Sequence, residues 1–406
     1  MAKCTVDYHK SFTIYYKFIN NNQIYITASV TDKNVNPVVT FFEIYKTIIN
    51  FLDQKRMTIV SDRIFGNNSF YNEIVKARTN VLLNKGIDAN MPLTYIEGQS
   101  CIGSGIAGLQ VNAVYSDNAK TITTIYKNDL PVGRKWKSNG ATFIMLQNLY
   151  DNQLIQGQNN NKSRQASCMF EKAQKILKDN SATYHNVVRT WIYLENILGW
   201  YSEFNKERNA KYHEFGFIPD YTGKLENEKI YLPASTGISG SNPFGASSLM
   251  DLLAVIPEQE TSVKIEQTSG TKQRSPFNYG SAFSRAINIR EPNNTTILLS
   301  GTASIDRNGK TVFVEDTKSQ IIKTFEIVEA LIQAEGASLN DICTATIFLK
   351  NPEDFSIYQK TAGELGLNEI PAVFIVADVC RCDLLFEIDA TFAFSPGSDF
   401  NLSSSK

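Results

Sequence analysis

The chain has 406 residues, of which 42% are hydrophobic and 20% are charged, and its formal net charge is −1. This composition is typical of a globular protein with room for two or three domains. A net charge near zero argues against a general attraction to nucleic acid or to an anionic membrane, so an anionic ligand would need local arginines.

Several classes of site are disfavoured by the sequence. No apolar run reaches the length of a membrane span and the first residues lack a signal-peptide core, so we expect a cytoplasmic protein. The six cysteines are scattered along the chain, which favours a reducing compartment over a disulfide framework. With only three histidines and no CxxC motif, we expect neither a metal nor another cofactor.

The first part of the chain predicts strands and two helices. One apolar stripe at helical spacing, Val38 to Leu52, predicts the first helix, and a second helix is expected to end at Gly86. The predicted strands that surround them are Ser11–Phe18, Gln23–Val30, Met57–Phe65, Met91–Gly98 and Ala107–Tyr115.

The same order of elements is predicted twice more. In the middle of the chain, Val187–Asn196 reads as a strand between an amphipathic helix and a helix from about Gly199 to Phe215. Further along, Ile342–Lys350 reads as the corresponding strand, and the helix before it has its apolar stripe from Ile321 to Ile332. The sequence therefore predicts one unit written three times.

We predict an α+β fold of three modules, residues 1–118, 119–257 and 258–395, with a disordered tail at 396–406. In each module two helices would cover one face of the sheet. The free sheet faces would pack together around a pseudo-threefold axis, so that the helices lie outside and the sheets face a central core. Independent domains on linkers are the alternative, but no Gly/Ser-rich or Pro-rich linker is present.

The candidate for chemistry lies in the last strand pattern, Val373–Phe394. One face of this pattern is apolar, whereas the other carries Glu387 and Asp389. A carboxyl group in so apolar a strand costs free energy unless it is paired, protonated or at a cleft, which makes Glu387 our candidate; a solvated acid at a sheet edge is the alternative. We place Asn112 and Leu253, or apolar residues near Leu253, at the equivalent positions, and so expect one working cleft of three.

The repeated unit resembles the RidA/YjgF family, whose modules have a chorismate mutase-like α+β fold and form trimers with clefts between subunits. The resemblance is carried by Pro276–Ala286, Leu298–Asp306, Pro371-Ala372 and Phe386–Ala390. RidA-type imine deaminases typically have an arginine directly after the Pro-Ala pair. This chain has Thr94, Ser235 and Val373 at that place, which argues against deamination.

Residues 90 to 394 are more fully similar to the chorismatases, which are built from fused RidA-like domains. The motifs that carry this resemblance, in order, are PLTYIEG, AGLQVNAVY, VGRKW, RTWIYLENI, FNKER, PASTGI, FSRA, SGTASI and ADVCRCDLLFEID. The resemblance implies hydrolysis of chorismate to pyruvate and a hydroxybenzoate, 3-hydroxybenzoate in our interpretation, for secondary metabolism. It also implies that Glu387 is the general acid that protonates the enolpyruvyl group.

The two carboxylates of such a substrate suit the forked guanidinium groups of arginine. Our candidates are Arg285 first and Arg208 second, although Arg208 could equally lie on a solvated helix face. Tyr212 and Tyr279 are candidates for contact with the ring or a hydroxyl, the alternative being core tyrosines. Some family members have an arginine where Lys360 stands, so Lys360 is a further candidate.

Gly301 and Cys380 are the candidates for control of the product. We expect Gly301 to leave room beside the substrate ring, and Cys380 to share the cleft with Glu387. Family members that carry this pair resemble the subtype that yields 3-hydroxybenzoate, whereas alanines go with a dihydroxycyclohexadiene acid. Cys380 could instead be a small buried apolar group.

Two other functions stay open at this point, an enamine or imine deaminase and a non-catalytic ligand-binding protein. As partners we expect a dianionic small molecule, with no nucleic acid and no membrane. Because three modules in one chain can close the ring, we expect a monomer.

Overall fold

The structure is a computed structural model that describes residues 4–19, 22–115, 121–152, 161–218, 230–259, 263–268 and 282–395. Within these ranges the chain forms three mixed β-sheets and six α-helices.

The first sheet comes from the first module. Its strand order is β1-β2-β3-β7-β4-β5. The strands are β1 (Cys4–Tyr8), β2 (Phe12–Ile19), β3 (Gln23–Val30), β4 (Met57–Gly66), β5 (Thr94–Glu97) and β7 (Ile106–Tyr115). The helices α1 (Pro37–Gln54) and α2 (Tyr71–Asn84) bury their apolar residues in a shared core with this sheet.

The second sheet repeats the plan, in the order β12-β11-β13-β10-β9-β8. Its strands are β8 (Thr123–Lys127), β9 (Leu130–Ser138), β10 (Ala141–Leu149), β11 (Val187–Leu194), β12 (Ala234–Ser239) and β13 (Ser248–Pro257). The helices of this module are α3 (Lys162–Asp179) and α4 (Tyr201–Glu214).

The third sheet has the order β14-β15-β16-β19-β17-β18-β6. It contains β14 (Lys264–Gln267), β15 (Ala286–Glu291), β16 (Asn294–Ala303), β17 (Ile342–Leu349), β18 (Ala372–Val376) and β19 (Phe386–Phe394), with helices α5 (Thr317–Gln333) and α6 (Asp354–Glu364). The predicted strand pattern Val373–Phe394 is thus two strands, joined by the segment that carries Cys380.

One short strand crosses the module ranges that the sequence suggests. β6 (Gln99–Ser100) belongs to the first range, yet it pairs with Ile375 and Val376 of β18 in the third sheet. All other described strands lie in the sheet of their own range.

The three sheets turn their second faces toward one another. One apolar cluster there combines Val60 of the first module, Val188 of the second and Leu298 of the third, and another combines Phe65, Tyr193 and Phe348. Because buried apolar surface stabilises by about 25 cal/mol per Å², these faces hold the modules together. The predicted α+β fold, with helices outside and sheets around a central core, is confirmed.

Candidate active site

A cavity of about 610 Å³ lies between the second and third modules. The second module contributes the start of α4 and part of β12, and the third contributes β16, β19 and the segment before β19. Its lining residues are Leu198, Gly199, Trp200, Tyr201, Ser202, Glu203, Asn205, Lys206, Arg208, Asn209, Ser235, Gly237, Phe283, Arg285, Gly301, Ala303, Ile305, Cys380, Arg381 and Glu387.

Glu387 lies in the wall of this cavity, near the start of β19. It pairs with Ala303 of β16 and Phe348 of β17, and only 5% of its surface is exposed. The groups that act on the pKa of its carboxyl group do so through burial and charge, with no hydrogen bond among them. Burial, followed by the charge of Asp389, raises the pKa of Glu387 to about 8, against the opposing effect of nearby arginines. The carboxyl group is therefore mostly protonated at neutral pH.

Gly301 leaves room for this acid. A Cβ atom at position 301 would lie 3.0 Å from Cδ of Glu387 and 3.3 Å from Cγ2 of Thr236. We expected the glycine to make space beside the substrate ring, but the adjacent space is taken by the carboxyl group itself. The absence of a side chain at position 301 thus positions the acid.

Two arginines meet at one aromatic ring. The guanidinium carbons of Arg208 and Arg285 lie 5.8 Å and 5.7 Å from the centre of the Phe283 ring. Arg208, on α4, also donates a hydrogen bond of 2.6 Å to Oδ1 of Asn205. Its Nε has no hydrogen-bond partner among the described residues, so a donor is available to a bound anion. Arg208 is buried, and it does not lie on a solvated face.

Cys380 lines the same cavity as Glu387. Burial, together with the charge of Glu387, raises the pKa of its thiol to about 12. The thiol is therefore neutral at physiological pH and acts as a small polarisable group, because nucleophilic attack requires the thiolate. Its neighbour Arg381 donates a hydrogen bond of 2.7 Å to the carbonyl oxygen of Gly309.

Two of the described candidates, Tyr212 and Lys360, do not line the cavity. Tyr212 lies on the buried face of α4, in the aromatic cluster with Phe170 and Tyr184. Lys360 lies on an exposed face of α6, which contributes none of the lining residues. Tyr279 lies outside the described residues.

The strand register corrects the expected equivalents of Glu387. The penultimate residues of β4, β11 and β17 are all aromatic, and each pairs with one residue of the neighbouring antiparallel strand. These pairs are Phe65 with Gly108, Tyr193 with Leu249, and Phe348 with Glu387. Asn112 and Leu253 lie four residues further along and pair with Ser61 and Arg189. The other two equivalent positions thus carry a glycine and a leucine, and no acid.

Sequence reasoning missed several members of the site. Phe283 precedes Arg285 by two residues and Asn205 precedes Arg208 by three, spacings that can place both members on one face of a strand or helix. That signal was available for both. Ser235 and Arg381 carried none, because their place in the cavity depends on how the modules pack.

The described residues contain no group of three His, Cys, Asp or Glu side chains that could bind a metal ion. None of the six described helices has the length and apolar content that crossing a membrane requires.

Comparison with known proteins identifies the third module most directly. A family model described as Endoribonuclease L-PSP matches residues 277–393. A RutC family protein of Pyrococcus horikoshii is 30% identical over 96 residues, which is 23% of this chain and 75% of the relative. A RutC family protein of Pyrococcus abyssi is 29% identical over 110 residues, which is 27% of this chain and 83% of the relative.

One similarity to a solved structure extends over most of the chain. The crystal structure of a chorismatase superposes with a TM-score of 0.56 and covers 82% of this chain and 93% of that chain. The two sequences are 15% identical, so the similarity concerns the fold. The chain thus has the fold of a chorismatase, built from RidA-like modules.

Proposed function

This chain belongs to the RutC family through its third module, and we propose that it is an enzyme that converts chorismate to pyruvate and a hydroxybenzoate. The observation that carries the proposal is the buried, protonated carboxyl group of Glu387, which shares a cavity with two arginines. A general acid needs a proton that survives at the working pH, and burial supplies that condition here.

The charge of the cavity favours a dianion. Its lining residues include four cations, Lys206, Arg208, Arg285 and Arg381, and two acids, Glu203 and Glu387. With Glu387 protonated, four positive charges face one negative charge. Chorismate carries a ring carboxylate and an enolpyruvyl carboxylate, and arginine binds such groups through paired hydrogen bonds.

In the first step, Glu387 donates its proton to the methylene carbon of the enolpyruvyl ether. The carbon–oxygen bond then acquires oxocarbenium character, and the positive charge develops next to the carboxylate that an arginine holds. Water adds to this cation and gives a hemiketal, whose collapse releases pyruvate and returns a proton to Glu387. A dihydroxycyclohexadiene acid remains, and its loss of water gives the aromatic product. The water that is consumed equals the water that is lost.

The product we propose is 3-hydroxybenzoate. Its support is the pair Gly301 and Cys380, which goes with that product in the family that this sequence resembles. Both residues lie in the cavity beside Glu387. The ligand we propose is thus a small dianion.

The test is incubation of the purified chain with chorismate, with pyruvate measured enzymatically and the ring products separated by chromatography. We expect pyruvate and 3-hydroxybenzoate in equal amounts. If pyruvate appears with the dihydroxycyclohexadiene acid alone, the product assignment is wrong and the reaction class stands. If no pyruvate appears, the proposal fails.

A further inference from the structure

A buried ion pair lies directly behind the proposed acid. Asp389 follows Glu387 by two residues on β19, so both carboxyl groups leave the same face of the strand. Oδ2 of Asp389 lies 3.3 Å from Nη2 of Arg189, which comes from β11 of the second module. Both side chains are almost wholly buried.

Besides Asp389, the guanidinium group of Arg189 contacts three groups of its own module. Nη2 donates a hydrogen bond of 2.6 Å to Oγ1 of Thr236, and Nη1 donates one of 2.8 Å to the carbonyl oxygen of Thr190. The guanidinium group also lies 4.7 Å from the centre of the Trp191 ring. Thr236 also lies beside Gly301, next to the carboxyl group of Glu387. The same threonine therefore borders both the ion pair and the acid. The position of Asp389 is thus set from across the module boundary.

Four charged or titratable groups act on Glu387. Asp389 comes from its own strand, Arg189 from β11, Arg285 from the residue before β15, and Cys380 from the segment before β19. The charge of Asp389 acts on Glu387 more strongly than either arginine does. Asp389 has a cation within contact distance, whereas no hydrogen bond is among the groups that act on the pKa of Glu387. Two neighbouring carboxyl groups cannot both ionise cheaply, so the unpaired one keeps its proton.

We propose that Asp389, held by its contact with Arg189 of the second module, is a positioning residue that keeps the proton on the carboxyl group of Glu387. The inference rests on the proposed function for the use made of that proton, but the proton itself can be observed without any substrate. Packing of the second module against the third would then both close the cavity and keep Glu387 in its protonated form.

The chain contains a matched pair that serves as a control. Asp251 of β13 pairs with Trp191 of β11, and Asp389 of β19 pairs with Thr346 of β17. Trp191 and Thr346 each lie two residues before the penultimate aromatic residue of their strand. Nη2 and Nε of Arg63 lie 2.8 Å and 3.1 Å from Oδ2 of Asp251. Leu249 stands where Glu387 stands in the third module. An ion pair of this kind therefore recurs in the fold, and only the pair of Asp389 has an acid beside it.

The experiment is a pH titration of the carboxyl group of Glu387 by infrared spectroscopy, with Glu387→Gln used to assign its band. In the unmodified protein we expect a midpoint near pH 8, which is about the value that the burial of Glu387 gives. In Asp389→Asn we expect the midpoint to fall by about one pH unit or more. Because less of Glu387 is then protonated at high pH, pyruvate release falls about tenfold there and changes less at low pH. Asp389→Glu keeps the charge and restores the midpoint. Asp251→Asn lowers stability but shifts the midpoint much less than Asp389→Asn does, because its partner Arg63 acts on Asp389 and Arg189 and not directly on Glu387.

A second variant covers the case in which Asp389→Asn does not fold. The double variant Asp389→Asn/Arg189→Met removes both charges, and replacement of a whole buried ion pair by neutral groups is often tolerated. Its midpoint also falls, by less than in the single variant, since the charge of Asp389 outweighs that of Arg189. An unchanged midpoint in a folded Asp389 variant, or an equal fall in Asp251→Asn, would overturn the inference.

The two proposals fail separately. If the unmodified protein releases no pyruvate and the midpoint still falls in Asp389→Asn, the proposed function is wrong and the positioning role stands. If pyruvate is released and the midpoint does not move, the enzyme stands and Asp389 has a structural role alone.

Discussion

The carboxyl group of Glu387 occupies the space that a side chain at position 301 would need. A Cβ atom there would lie 3.0 Å from Cδ of Glu387, and closer still to one of its oxygens. Residues 301 and 387 are on neighbouring antiparallel strands, so neither backbone can move away without disturbing the sheet. The glycine and the acid therefore form one unit of the site.

Gly301→Ala should displace the acid. We expect pyruvate release from chorismate to fall at least about tenfold, because the carboxyl group must leave its position for the reacting carbon. Gly237→Ala is the control, since a Cβ at that position of the same cavity would meet the ring of Tyr201 at an ordinary 3.5 Å. Steady-state kinetics on both variants gives the comparison. Equal activity in Gly301→Ala and the unmodified protein would contradict the geometry.

The buried acid should make stability depend on pH. The pKa of Glu387 is raised from 4.5 to about 8, so its contribution to the free energy of unfolding is complete below about pH 4.5 and is lost as the pH rises through about 8. Glu387→Gln lacks this titration. Relative to the variant, the unmodified protein should lose on the order of 5 kcal/mol between low and high pH.

Urea unfolding of both proteins across this pH range measures the difference. The difference should be small near pH 5 and should grow toward pH 9 in favour of Glu387→Gln. Parallel curves for the two proteins would show that the carboxyl group is ionised at neutral pH in the folded state.

Phe283 should matter for binding more than for chemistry. Its ring contacts the guanidinium groups of both Arg208 and Arg285, and each such contact is worth about 0.5–2 kcal/mol. Phe283→Leu should raise KM for the dianion by roughly threefold to tenfold, with a smaller change in kcat. Lys360→Gln is the control cation, because its helix face is exposed and outside the cavity. A raised KM in Lys360→Gln would restore it as a binding residue.

The chain should be a monomer. Its three sheets already cover one another's inner faces, so the described strands leave no large apolar sheet face for a second copy. Light scattering should give a mass of about 45.5 kDa. A mass three times larger would mean that the internal ring does not replace the assembly of single modules.

Much of the fold could be predicted because its signals are local. The apolar stripe from Ile321 to Ile332 is buried on α5. The alternation of apolar and acidic residues around Glu387 coincides with strand β19. Glu387 could be singled out because a carboxyl group in an apolar strand is costly wherever the strand goes. The neighbours of Glu387 are harder to predict from the sequence, because Arg208 and Arg189 belong to the second module. They come close to Glu387 only when the modules pack together.

The failures have the same origin. Lys360 was favoured by resemblance. The helix that lines the cavity, however, is α4 of the second module and not α6, on which Lys360 lies. The equivalent positions were misplaced by four residues because register across a sheet is set by strand pairing, which an isolated strand pattern does not contain.

The central claim is that the proton of Glu387 begins the reaction, and Glu387→Gln tests it most directly. Glutamine keeps the shape of the side chain but has no carboxyl proton to donate. The account predicts that pyruvate release from chorismate falls by about a hundredfold to ten-thousandfold at unchanged folding, the range that a general acid typically contributes. Undiminished release by Glu387→Gln would contradict it.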